Sequence, residues 1–171
     1  IRDAQISRGL GDVYKRQDIY SDILKDSDNL ISESIAANIS FRLNDTISVD
    51  KGVELIKSLL KQIELFDGSG LSRYNLVTPK SIISSLHDIY NLIGFERIQK
   101  IFPENYIIKD KEDFVWGKTG TLKNNHNYSG YIITDKNRIY IFSIMINHFT
   151  NDLSKIKDAI VDFLIYLKSN S

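Results

Sequence analysis

Cysteine is absent from the 171-residue chain, which excludes a disulfide framework and a zinc–thiolate site. Histidine is scarce. His87, His126 and His148 are far apart, with no H-x-x-x-H pair, so no histidine-based metal centre is expected. Excess charge of either sign is missing too. The 22 Lys+Arg balance 22 Asp+Glu, which removes the electrostatic case for nucleic acid or an anionic membrane as the main partner. No apolar run approaches the roughly 18 residues that span a bilayer, and the opening residues lack a basic-then-apolar export pattern. No internal repeat or low-complexity tract is found. What remains is 42% hydrophobic and 26% charged, an ordinary composition with length enough for one domain and a core.

Residues 1–17, "IRDAQISRGLGDVYKRQ", carry two glycines and four basic residues with no sustained apolar period. They are read as a non-native or disordered leader. From Asp18 the periods are regular. Ile19, Ile23 and Leu24, then Leu30, Ile31, Ile35, Ile39 and Leu43, have helical spacing on either side of "KDSDN". Ser27, Asp28 and Asn29 are all good N-cap types for the second of these helices. "VDKGVELIKSLLKQIEL" predicts another helix, with Val53, Ile56, Leu59, Leu60 and Ile63 inward. "FDGSGLSRYNLVTP" reads as a structured loop. Pro79 then suits a first helical turn, with Ile82, Ile83, Leu86, Ile89 and Tyr90 inward and Gly94 as the stop.

The last third changes period. "DFVWGKTGTL", "YSGYIITD" and "RIYIFSIMIN" predict three strands, the last two joined by the turn "TDKNR". Ile139 to Ile146 is apolar at nearly every position, which predicts a strand in the middle of a sheet with helices on either side. "DLSKIKDAIVDFLIYLK" closes the chain as a helix with Leu153, Ile156, Ile160, Phe163, Leu164 and Leu167 inward. Helices, then a mostly antiparallel sheet, then a helix across it, make the fold class α+β.

Gly117-Lys118-Thr119 matches the end of a phosphate-binding loop, but that loop needs a glycine at position 112, which is Glu112, and a helix afterwards. A strand suits the sequence better. On it Lys118 and Gly120 face one way, Thr119 and Thr121 the other. Lys118 offers charge to a carboxylate, the threonines offer hydroxyls, and Gly120 lets a second backbone come close. Taken alone, this remains compatible with an ordinary hairpin strand, and Ser27-Asp28-Asn29 alone with an ordinary helix cap.

Together, "SDN" at 27–29 and "KTG" at 118–120 form the pairing of penicillin-interacting serine enzymes. With "DGSGLSRYN" at 67–75, "SDNLISESIA" and "WGKTGTL…YSGYIIT…IFSIMIN", the chain from about Ile19 to Leu167 resembles the DacB-like D-alanyl-D-alanine carboxypeptidase/endopeptidase family of low-molecular-mass penicillin-binding proteins. The resemblance implies a transpeptidase/β-lactamase-like fold, an antiparallel sheet with flanking helices, and cleavage of D-Ala-D-Ala amides in peptidoglycan through an acyl-serine. It implies that Ser27 shuttles a proton, that Asn29 binds the substrate amide, and that Lys118 and Thr119 hold the substrate carboxylate. Gly120 and Thr121 would dock the peptide and help form the oxyanion hole. Asp67 and Arg73 would be scaffold. Its partners would be stem peptides ending in D-Ala-D-Ala and, for the full-length protein, β-lactams. Its compartment would be periplasmic or extracytoplasmic.

One element departs from the family. Its nucleophile lies in an S-x-x-K motif before S-D-N, and none of the 26 residues preceding Ser27 provides one. The matches Ser48…Lys51, Ser58…Lys61 and Ser154…Lys157 come later in the chain, against that order. The expectation is therefore a C-terminal portion, residues 18–171, inactive alone and exposing a sheet edge. A non-catalytic peptidoglycan-binding module, a serine β-lactamase and an interaction domain without a ligand are the alternatives. The "DGSGLSRYN" loop argues against the β-lactamase.

Overall fold

The structure, a computed structural model, describes residues 17–60, 62–105, 107–108 and 112–171. Most of the leader read at 1–17 therefore lies outside the described residues. The chain divides into two compact units, Ile1–Val77 and Thr78–Ser171.

The first unit holds α1, whose described part is 17–26, then α2 (Asn29–Asn44), α3 (Val49–Leu59) and a two-residue ribbon of β1 (Ile63–Glu64) with β2 (Leu76–Val77). Asp28 caps α2 by accepting from the Ile31 amide at 2.8 Å, and Ser48 caps α3. The α2–α3 seam is made by small residues. Ala36 and Ser40 are buried, and a Cβ at Gly52 would stand 1.9 Å from the Ala36 carbonyl oxygen. Leu59, expected inward, is exposed, and so are Leu30 and Leu43 of the helical period in α2. Ile63 belongs to β1 and not to a prolonged α3, which stops at Leu60 in extended backbone. Small residues contribute little to a hydrophobic period, so the helical stripe pointed at the wrong face.

The second unit holds α4 (Pro79–Ile93), α5 (Phe95–Ile101), β3 (Val115–Leu122), β4 (Asn125–Ile133), β5 (Ile139–Asn147) and α6 (Leu153–Asn170). Thr78 and Ser81 form a reciprocal cap with Pro79 in the first turn, and Gly94 at φ 74° ends α4. α5 was not foreseen, because seven residues are too few to display a period. The sheet is an antiparallel meander in the order β3-β4-β5. Among the described residues β4 is the middle strand and β5 stands at the edge of this three-stranded sheet. An apolar run reports that both faces are covered, not that both edges are, and short turns keep chain order in the sheet. On one face Tyr128, Ile132 and Phe142 pack with Ile160 and Leu164 of α6. On the other, Tyr131 meets Tyr90, Phe95 and Phe102, and its hydroxyl donates to the Leu86 carbonyl at 2.7 Å. Ile83 and Phe163, both expected inward, are exposed.

Candidate functional site

β3 is paired differently along its two edges. One edge is zipped to β4 from Val115↔Ile132 to Leu122↔Asn125. Among the described residues the outer edge is covered at its start, where the Asn105 amide donates to Val115 O at 2.8 Å and the Gly117 amide donates to Pro103 O at 2.9 Å. Asn105, which the sequence reading overlooked, anchors this corner. Its side-chain oxygen accepts from the amides of Phe114 and Val115, and its amide nitrogen donates to Glu112 O and Asp113. Among the described residues, strand-like pairing on the outer edge stops at Gly117. Since Val115 and Gly117 turn their backbone groups outward, alternation turns those of Thr119 and Thr121 the same way.

Lys118, Thr119, Gly120 and Thr121 follow one another on this open stretch, as predicted from the strand period. Lys118 is half-buried, and its Nζ donates to Thr119 O at 3.1 Å. Burial pushes the Lys118 ammonium below its ordinary pKa. Gly120 is exposed, and a Cβ there would meet nothing within 4 Å. No internal packing requires that glycine. Gly117 and Gly130 differ, because Cβ atoms there would strike backbone at 2.8 and 2.2 Å. Thr121 Oγ1 lies 2.8 Å from Nδ1 of His126, a contact the sequence reading did not anticipate.

In the first unit, Ser27 and Asn29 flank the capping Asp28 and are exposed. Ser27 sits at φ 56°, the left-handed region that a non-glycine residue enters at a cost, often at functional turns. Asp28 is spent on the helix cap. Ser32 Oγ also donates to Asp28 O at 2.8 Å, tightening the same turn.

The loop at 67–75 is held by two carboxylates. Asp67 accepts from the amides of Gly70 and Ser72 and from Asn75. Burial pushes its pKa up, but the hydrogen bonds from Asn75 and the Ser72, Gly70 and Leu71 amides outweigh this and hold it below the usual carboxylate value. Glu33 of α2 accepts from the Gly68 and Ser69 amides at 3.1 and 3.0 Å. Glu33→Ala strands both donors, and lowers stability by about 2 kcal/mol. Thermal unfolding followed by circular dichroism should show a midpoint lower by roughly 5 °C, and an unchanged midpoint would remove Glu33 from the scaffold.

The three literal S-x-x-K matches take structural roles as far as the described residues extend. Ser48 is the α3 cap. Ser58 Oγ donates to Leu55 O, while Lys61 lies outside the described residues. Ser154 sits in the first turn of α6 under the cap of Asp152. Among the described residues no group of three or more His, Asp or Glu side chains could hold a metal ion, and no helix is long and apolar enough to cross a membrane.

Comparison with solved structures defines the fold as transpeptidase/β-lactamase-like. Penicillin-binding protein 4 (dacB) from Haemophilus influenzae, solved with a β-lactam, superposes with a TM-score of 0.77 at 26% identity, covering 89% of this chain and 41% of that one. A class A β-lactamase from Bacteroides cellulosilyticus shares the fold at a TM-score of 0.63 and 18% identity, over 89% of this chain and 62% of that chain. In sequence, the chain is 31% identical over 163 residues to the D-alanyl-D-alanine carboxypeptidase DacB of Haemophilus influenzae, covering 83% of this chain and 34% of the relative. Residues 16–167 match the D-Ala-D-Ala carboxypeptidase 3 (S13) family, and the chain belongs to that family. It spans about a third of the length of the curated relatives it matches.

Proposed function

We propose that this chain is the C-terminal part, residues 18–171, of the catalytic domain of a serine-type D-Ala-D-Ala carboxypeptidase or endopeptidase acting outside the cytoplasm on peptidoglycan stem peptides. The observation that carries it is the open half of β3. A half-buried cation, a glycine that no neighbour requires and two outward-turned backbone units stand in sequence in a chain of the S13 family.

In this reading the stem peptide lies along Lys118–Thr121 as an added strand. Lys118 and Thr119 hold its terminal carboxylate, and the Thr121 amide points to the scissile carbonyl. A serine from an S-x-x-K segment attacks that carbonyl, passing its proton to the lysine of the same motif. An oxyanion forms, the C–N bond breaks, and the departing D-Ala amine takes a proton through Ser27 while Asn29 holds the substrate amide. Water then hydrolyses the acyl-serine and regenerates the hydroxyl. A β-lactam follows the same course as far as the acyl-serine.

Fluorescent penicillin tests this. The full-length gene product should take up covalent label, displaceable by an unlabelled β-lactam, and should release D-Ala from a D-Ala-D-Ala peptide. The purified 171-residue chain should remain unlabelled and should release nothing. Label on the short chain would mean that it supplies its own nucleophile. An unlabelled, inactive full-length product would instead favour a binding module without catalysis.

A further inference from the structure

His126 has no part in the chemistry just described, yet its placement is specific. It is the β4 residue directly opposite Thr121, with Ile146 of β5 on its other side. Its ring is fully buried, with Nδ1 2.8 Å from Thr121 Oγ1. Nε2 has no hydrogen-bond partner among the described residues. Leaving that atom unsatisfied costs free energy, so the ring is not placed there for its own comfort. Thr121 itself is exposed, on the stretch of β3 whose outer side carries no strand-like pairing among the described residues. The backbone faces the open edge while the side chain points back to the α6 face and is tied to the buried imidazole. A stiff β-branched residue held at its hydroxyl has little freedom to turn its amide.

Resting on the acyl-transfer reading of this strand, we propose that His126 is a positioning residue. By gripping Thr121 Oγ1 from below, it fixes the direction of the Thr121 backbone N–H that stabilises the oxyanion. Burial lowers the His126 pKa, and the positive charge of Lys157 on α6 pushes the same way. Thr121 from β3 and Ile146 from β5 add no charge beside it. The ring therefore stays neutral, with one nitrogen donating and one accepting.

The test uses the full-length gene product and a chromogenic cephalosporin in stopped flow, which separates initial binding from the acylation rate constant. Thr121→Val is isosteric and loses only the hydroxyl. It should lower the acylation rate about tenfold, short of the loss expected when an oxyanion donor is removed outright, with initial binding changed less than about twofold. His126→Phe should give the same loss, and the double variant should be no worse than either single one, because both remove one bond. Thr121→Ser, which restores the hydroxyl, should recover most of the rate lost in Thr121→Val. An acylation rate unaltered in Thr121→Val overturns the inference, as does equal weakening of binding and rate, or losses that simply add. Should His126→Phe fail to fold, the Val and Ser pair at the exposed position decides alone. A wild-type protein that is never acylated overturns the acyl-transfer reading itself, and this inference with it.

Discussion

Gly130→Ala lowers the unfolding midpoint of the protein by about 8 °C, whereas Gly120→Ala, on the facing strand, leaves it within about 2 °C. Both are glycines of one hairpin, and sequence alone does not separate them. At Gly130 a methyl group would lie 2.2 Å from Trp116 O and 2.4 Å from Gly117 Cα. Both obstacles are backbone of the paired strand, so no rotamer change relieves the clash and β3 must move away from β4. Overpacking of this kind costs about 3 kcal/mol, which for a chain of this size corresponds to the stated shift. At Gly120 the methyl meets nothing, and the fold tolerates it. The space it fills is the one assigned to the substrate backbone, so Gly120→Ala should be a folded protein that acylates poorly. Calorimetry on both variants, beside penicillin labelling, separates the two glycines. Equal midpoints for the pair would contradict the interstrand geometry.

Lys118→Ala reduces kcat/KM for a peptide ending in D-Ala-D-Ala by about a hundredfold in the full-length enzyme, equivalent to about 2.7 kcal/mol of transition-state stabilisation. The half-buried ammonium is poorly hydrated, so a carboxylate that reaches it displaces little water and meets a field less screened than at the open surface. Its bond to Thr119 O keeps the ammonium along the strand and not swung into solvent. The decisive comparison uses the same peptide with its C-terminus amidated. Wild-type enzyme should discriminate strongly against the amide, and Lys118→Ala should treat the two peptides nearly alike. If the variant loses the same factor on both, Lys118 serves the chemistry or the fold and does not read the carboxylate.

Much of the site's strand was legible because it lies within one element. Alternation along residues 115–122 and the absence of a following helix were enough to reject a phosphate loop, and the strand is where the period put it. Pro79 and Gly94 were equally readable, since helix starts and stops are local chemistry. What escaped depends on partners remote in sequence. The His126–Thr121 contact follows from a two-residue turn at 123–124 that starts β4 at Asn125, three residues before the predicted strand. The need for glycine at 117 and 130 is likewise a matter of register, invisible until the strands are paired. In the helical unit Ala36 and Gly52 make the seam by being small, while Leu59 attracted the inward assignment by being large.

The segment 103–105, by covering β3 up to Gly117, also acts as a stop. Among the described residues, 118–122 are what remains open for a guest chain, a berth about 17 Å long at the rise of an extended strand. On the proposed acyl-transfer reading, a visitor can lay down a handful of residues before it runs into segment 103–105, and so short a berth favours molecules presented by their tips over those threaded through their middles.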